Sequence, residues 1–86
     1  MASDDPTELN EVLSWDAMIG GRVVRVSISR DTIDDYLGAE STTPEERRKF
    51  VVHRRSVLGH CAAEALRNNP NATAIMLTLD DLPKFG

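Results

Sequence analysis

Arg54 is a charged residue at a position where the sequence predicts part of the core. If the stretch "KFVVHRRSVLGHC" (49–61) is one helix, successive residues advance by about 100°. An apolar stripe then forms with Arg54 in its middle; its members are Phe50, Val57, Leu58, Cys61 and Ala65. Burying an unpaired charge costs several kcal/mol, so the guanidinium requires acceptors.

Three interpretations of Arg54 are open. It could form an internal clamp with a carboxylate, because its planar donors suit two parallel hydrogen bonds. The candidate carboxylates are Asp34, Asp35, Asp80 and Asp81. Alternatively, its stem could lie over apolar surface while the charged end reaches water. The third interpretation is an anion pocket that binds a carboxylate or phosphate. The usual behaviour of charged residues near cores favours the clamp.

His53, His60 and Glu64 form a second candidate group, since they fall on one side of the same helix. His60 and Glu64 are one turn apart and could share a zinc ion. His53 is about 10 Å further along the axis, and a third ligand would have to come from another chain. We therefore predict a solvated His–Glu pair and no metal site.

Cys61 is the only cysteine, and no internal disulfide can form. It lies on the apolar side of the predicted helix, where it should behave as a small buried hydrophobic residue. The chain has no glycine-rich phosphate loop, nucleophile elbow or paired-carboxylate motif. We expect neither enzymatic activity nor a cofactor.

The segment 44–68 contains six basic and three acidic residues, whereas the whole chain has a net charge of -4. A surface patch of Arg48, Lys49 and Arg55 could bind an anionic partner. The basic residues surround the predicted helix, however, and the pI is about 5.0. Nucleic-acid binding is therefore the weaker expectation, behind a solvated helix surface balanced by nearby acids.

The chain of 86 residues fits one small domain with a thin core. Such a core often depends on a partner chain, so a homodimer and a monomer are both expected alternatives. No secretory signal or membrane-spanning run is evident, and the absence of paired cysteines suits the cytoplasm. We predict a mobile polar tail at 1–10, one domain at 11–82 and a short tail at 83–86.

Predicted strands precede and follow the two predicted helices in the sequence. Residues 11–19 can form a first strand, and Gly20-Gly21 a two-residue turn. The next strand, "RVVRVSIS", directs Val24, Val26 and Ile28 to one face and Val23, Arg25 and Ser27 to the other. A last strand, "ATAIMLTL", is apolar on both sides, which places it in the interior of the sheet or under both helices.

Helix signals are strongest between those strands. Ser29 is a natural N-cap and Gly38 a C-cap for a short helix with Ile33 on its apolar side. Thr43, Pro44 and Glu46 combine an N-cap, a first-turn proline and a capping-box glutamate. We expect this second helix to run unbroken from about Pro44 to Arg67. The predicted order is β-β-α-α-β, an α+β fold with a three-stranded, mainly antiparallel sheet and two helices on one face.

The segments "GRVVRVSISRDTIDDYLGA" and "FVVHRRSVLGHCA", with a last strand ending "LTLDDL", resemble the bacterial proteins of domain-of-unknown-function family 1488. The resemblance covers roughly residues 21–82. It differs at Thr32, where a small helix former is expected, and in the longer acidic N-terminal tail. The family implies a compact α+β fold and no agreed activity.

These observations together predict a small cytoplasmic binding or interaction module without catalytic chemistry, using the surface around the long helix. Its partner would be an unknown protein or a second copy. The alternative is a nucleic-acid-associated regulator that uses Arg48, Lys49 and Arg55.

Overall fold

Four strands and three helices form the part of the chain that the structure, a computed structural model, describes: residues 6–83. The strands are β1 (Thr7–Leu9), β2 (Val12–Ile19), β3 (Arg22–Ser29) and β4 (Ala74–Leu77). The helices are α1 (Arg30–Leu37), α2 (Pro44–His53) and α3 (Arg55–Asn68), and a 3₁₀ turn covers Leu79–Asp81. The predicted α+β class is confirmed.

The sheet has four strands in the order β1-β2-β3-β4, so the prediction of three strands is wrong. β1 lies within the segment 1–10 that was predicted to be a tail, and it pairs antiparallel with β2. Asn10 and Glu11 join the two strands with positive φ angles of 53° and 63°, as a tight hairpin requires. Residues 1–5 and 84–86 of the predicted tails lie outside the described range.

β2 and β3 form an antiparallel hairpin across the predicted Gly20-Gly21 turn, whose φ angles are 60° and 82°. β4 pairs parallel to β3 and lies at the edge of the sheet, so the first of its two predicted placements, in the interior of the sheet, is wrong. The parallel direction requires a crossover connection, which all three helices supply before the chain returns to the sheet. The observed sheet is therefore mixed.

Helix α1 has the predicted caps. The Ser29 hydroxyl accepts a hydrogen bond from the Thr32 amide at 3.2 Å, and Gly38 adopts the left-handed conformation with φ 68°. The start of α2 also agrees with its sequence signal, since Thr43 and Glu46 form a reciprocal capping box. These ends are specified by residues that lie next to them in the sequence.

The predicted unbroken helix at 44–67 is wrong, because Arg54 separates α2 from α3 with φ -113° and ψ 26°. The Arg54 amide is shared between the carbonyls of Phe50 and Val51, at 3.2 and 3.3 Å, a tightening that is typical of a last helical turn. The Arg54 carbonyl accepts from the Leu58 amide at 2.8 Å, and α3 therefore begins at once. Neither proline nor glycine marks this break.

The hydrophobic core lies between one face of the sheet and the helices. Strand residues from β2, β3 and β4 meet helix residues there, and the most deeply buried are Leu13, Val24, Val26, Ile28, Ile33, Val51, Leu58 and Leu77. Because side chains alternate along a strand, the remaining strand residues point to the opposite face of the sheet. No helix among residues 6–83 covers that second face.

Candidate interaction surface

Arg54 does not form the predicted clamp. The residue is half-buried, and its guanidinium lies over the Phe50 ring, 4.7 Å from the ring centroid. Within the described residues it has no ion pair with any of the four candidate carboxylates, Asp34, Asp35, Asp80 and Asp81, and Asp35 is exposed. This arrangement is closest to the second interpretation, with an apolar contact along the side chain and a charged end near the surface.

Asp34 is buried as part of a different polar cluster. Its Oδ1 accepts hydrogen bonds from the Thr42 amide at 3.0 Å and from the Thr42 hydroxyl. Arg30 Nε lies 3.4 Å from Asp34 Oδ2, and the same guanidinium reaches Glu11 at 3.1 Å. The hydrogen bonds from Thr42 are the main cause of the lowered pKa of Asp34. The carboxylate therefore fixes the loop between α1 and α2.

The buried arginine of this fold is Arg47, which the sequence analysis did not identify. Its side chain is 4% exposed. Its Nε and Nη2 donate to the two carboxylate oxygens of Glu8 at 2.8 and 2.7 Å, and Nη1 donates to the Thr42 carbonyl. A bidentate pair of this kind is strong and geometrically specific, and here it attaches the edge strand β1 to α2.

The ion pair in this cluster favours the charged forms of Glu8 and Arg47. The hydrogen bond with Arg47 lowers the pKa of Glu8 from its ordinary value and raises that of Arg47. Within residues 6–83, every buried side-chain nitrogen or oxygen has a hydrogen-bond partner. The cluster therefore stabilises the fold, and no buried donor in it is left to bind an anion.

His60 and Glu64, the two residues that could have shared a metal ion, lie beside the same cavity. With Cys61 and Asp81, they line a shallow cavity of about 430 Å³ between α3 and the 3₁₀ turn. Glu64 forms an ion pair with Arg67 at 3.1 Å, and His53 lines another cavity, beside Arg54. Among residues 6–83, no three potential ligands are grouped closely enough to bind a metal ion.

Cys61 is buried, as predicted from its position on the apolar side of the helix. Burial raises the pKa of its thiol, with a smaller contribution from Asp81. A raised pKa disfavours the reactive thiolate. The thiol therefore packs as an apolar group.

The basic patch predicted at Arg48, Lys49 and Arg55 is divided by the helix break. Arg48 and Lys49 lie exposed on α2, whereas Arg55 begins α3 and is half-buried. Lys49 lies 3.6 Å from Glu45, so an acid one turn away offsets its charge. The charges therefore do not form one continuous phosphate-binding row.

The uncovered face of the sheet, which we call the open face, belongs neither to the core nor to the polar cluster. It consists of the outward-pointing strand residues Thr7, Leu9, Val12, Ser14, Asp16, Met18, Val23, Arg25, Ser27, Ala74 and Met76. The register of the strands brings these residues into adjacent rows. The sequence predicted that Val23, Arg25 and Ser27 share one face of β3, but which face the helices leave exposed depends on tertiary packing.

The open face exposes large apolar side chains. Leu9, Met18, Val23 and Met76 are 73%, 70%, 59% and 53% exposed, respectively. Their counterparts on the helical side, Leu37, Val52, Val57 and Leu79, are each 45% exposed or less. Scattered exposed apolar residues are ordinary, but several on one uncovered sheet face are typical of an interaction surface.

Polar residues at the middle of the open face are paired across the strands. Arg25 Nη2 lies 3.3 Å from Asp16 Oδ1, and the hydroxyls of Ser14 and Ser27 are 2.8 Å apart. Both charged side chains remain more than half exposed. The face therefore has one charge of each sign and is neutral as a whole, although the chain is acidic.

Comparisons with family models, with curated proteins and with solved structures found no match to this chain. The resemblance to domain-of-unknown-function family 1488 accordingly stays a hypothesis. None of the helices in residues 6–83 has the length and apolar character needed to cross a membrane.

Proposed function

We propose that this protein is a small cytoplasmic interaction module, without catalytic chemistry, that binds a protein partner through the open face. The observation that carries the proposal is the difference in burial between the two faces of the sheet. Three helices pack on one side of the sheet, while apolar side chains on the other side are up to 73% exposed. Burying such side chains against a partner is favourable by about 25 cal/mol per Å² of apolar surface.

The neutral composition of the open face supports a protein partner over a nucleic acid. Nucleic-acid affinity depends on basic side chains that neutralise phosphates, and this face contains only Arg25, which is already paired with Asp16. The alternative function, a nucleic-acid-associated regulator, would use Arg48, Lys49 and Arg55 on the helical side. The two functions thus require different surfaces.

A matched pair of valine substitutions tests the proposal. Val23→Asp places a charge on the open face, whereas Val52→Asp places the same charge on an exposed position of α2. Tagged protein would be used to isolate partners from the native cell extract. We expect the proteins that wild type retains to be lost with Val23→Asp and retained with Val52→Asp. The reverse pattern would contradict the proposal.

Duplex DNA binding, measured with the same samples at low and moderate salt, discriminates the alternative. Binding that falls steeply with salt, and that is weakened by Lys49→Ala but not by Val23→Asp, would favour the regulator. Circular dichroism of each variant would verify that the fold is retained.

A further inference from the structure

We infer that the partner of the open face is a second copy of this chain, and that the two sheets pack face to face around a two-fold axis. This inference rests on the proposed function, because it assigns the occupant of the same surface. It follows from two features of the face, its strand register and its pattern of charges, and the area of the face sets the expected affinity.

The register makes the face self-complementary. β2 and β3 occupy the middle of the sheet, and Asp16 pairs with Arg25 while Met18 pairs with Val23. Consider a two-fold axis that lies between the two sheets, parallel to the strands and midway between β2 and β3. This axis places each β2 residue opposite its own register partner on the second copy. An interface of this kind uses the same patch on both subunits.

The charges match under this symmetry. Asp16 of each copy faces Arg25 of the other, so the two intrachain ion pairs become one cluster of four alternating charges. Met18 likewise faces Val23 of the second copy, and apolar contacts adjoin the charged cluster. Potentials of opposite sign that meet across an interface favour the correct register over competing arrangements. A uniformly charged face would instead repel its own copy.

The area indicates a weak dimer. The four strands contain 23 residues; at about 3.3 Å per residue and about 4.8 Å between strands, they cover roughly 360 Å² of flat sheet. A standard interface buries about 800 Å² per partner, and smaller ones are typically transient. Protruding side chains add area to the flat footprint. We therefore expect a reversible dimer with a dissociation constant in the micromolar range or weaker.

Sedimentation equilibrium of the full chain, from about 10 μM to about 1 mM, tests the inference. We expect a reversible monomer–dimer equilibrium for wild type. Arg25→Asp would bring four carboxylates together and should raise the dissociation constant at least about tenfold. The charge swap Asp16→Arg with Arg25→Asp restores the alternating pattern and should return the dissociation constant to within about threefold of wild type.

The control is Arg67→Asp, which reverses the charge of an exposed ion pair on α3, far from the sheet's uncovered side. It should leave the dissociation constant unchanged. Failure of the charge swap to restore the dimer, or an equal effect of Arg67→Asp, would overturn the proposed symmetry. Circular dichroism melts separate loss of association from loss of fold.

Two outcomes distinguish this inference from the proposed function. If wild type remains monomeric at about 1 mM, while Val23→Asp still abolishes the capture of a different protein, the second-copy inference is wrong and the interaction module stands. If wild type is monomeric and Val23→Asp captures the same proteins as wild type, both are wrong.

Discussion

The two faces of the sheet are formed by the same strands but differ in how deeply their side chains are buried. On the covered face, valine, leucine and isoleucine side chains are almost fully buried against three helices. Within residues 6–83, each buried polar side-chain atom has a hydrogen-bond partner, and Arg47 donates to Glu8 and Thr42. On the open face, four large apolar side chains remain more than half exposed around one ion pair: Leu9, Met18, Val23 and Met76.

This difference separates stability from binding. Because side chains alternate along a strand, neighbouring residues of β3 can serve the fold and the proposed interaction independently. Val26 contributes to the core and Val23 to the open face, although both lie in the same strand. Substitutions on the covered face should therefore change the free energy of unfolding, and those on the open face should change association.

The largest effect on stability is expected from Glu8→Ala. It would leave the Arg47 guanidinium buried without its carboxylate, at a cost of about 3 kcal/mol, the lower end for breaking a buried pair because Glu8 is itself 24% exposed. Arg47→Met should be milder, since it removes the buried charge and leaves Glu8 near water. Urea unfolding of both variants measures the difference. An Arg47→Met variant that is less stable than Glu8→Ala would contradict this account.

A matched pair of valines compares the faces directly. Val26→Ala should reduce the free energy of unfolding by about 2 kcal/mol, because it removes apolar contacts and leaves a cavity. Val23→Ala, on the open face, should change it by less than about 0.5 kcal/mol. The measurement is urea unfolding at a protein concentration low enough to keep the chain monomeric. Equal losses would mean that both faces are packed.

Acidification should reduce the free energy of unfolding, because it protonates Glu8 and Asp34. Their carboxyl pKa values are lower in the folded chain than their ordinary values of 4.5 and 3.8. Each therefore contributes stability that is present above the ordinary pKa and is lost as the pH falls through the folded pKa. Between about pH 5 and about pH 3, wild type should lose stability more steeply than Glu8→Gln, which cannot titrate at that position. Parallel slopes would exclude a role for Glu8 in this pH dependence.

The smallest effect is expected at Arg54. Its guanidinium stacks on Phe50 near the surface, an interaction worth about 0.5–1 kcal/mol. Arg54→Met keeps much of the apolar contact and should destabilise the chain by no more than about 0.5 kcal/mol. The measurement is the thermal unfolding of Arg54→Met, compared with that of the neighbouring variant Arg55→Met. A loss as large as that of Glu8→Ala would indicate that Arg54, and not Arg47, is the critical arginine.

The predictable parts of the fold are those with local causes. The Ser29 and Thr43 caps, the Gly20-Gly21 turn and the apolar alternation of β3 each depend on neighbouring residues, and all are present. β1 was missed because three residues, "TEL", lack a periodic pattern and are held mainly by pairing with β2 and by the bond from Glu8 to Arg47.

The candidate site was less predictable, because one assumption about helix continuity changed the outcome. Placing 44–67 on a single wheel put Arg54 in the apolar stripe. The break at Arg54 gives α2 its own buried side, formed by Arg47, Phe50 and Val51. Their spacing of three and four residues was a usable signal for Arg47. The helices were expected on one face of the sheet, but no local pattern could show how exposed each strand residue on the opposite face would be.

An isotope-filtered nuclear Overhauser experiment tests the central claim most directly. Labelled and unlabelled chains would be mixed at about 1 mM, where the proposed dimer is populated. The account predicts intermolecular contacts between the Met18 methyl of one copy and the Val23 methyls of the other. The account would be contradicted if the intermolecular contacts involved only helix residues such as Val52. It would also be contradicted if no intermolecular contact with the sheet were observed.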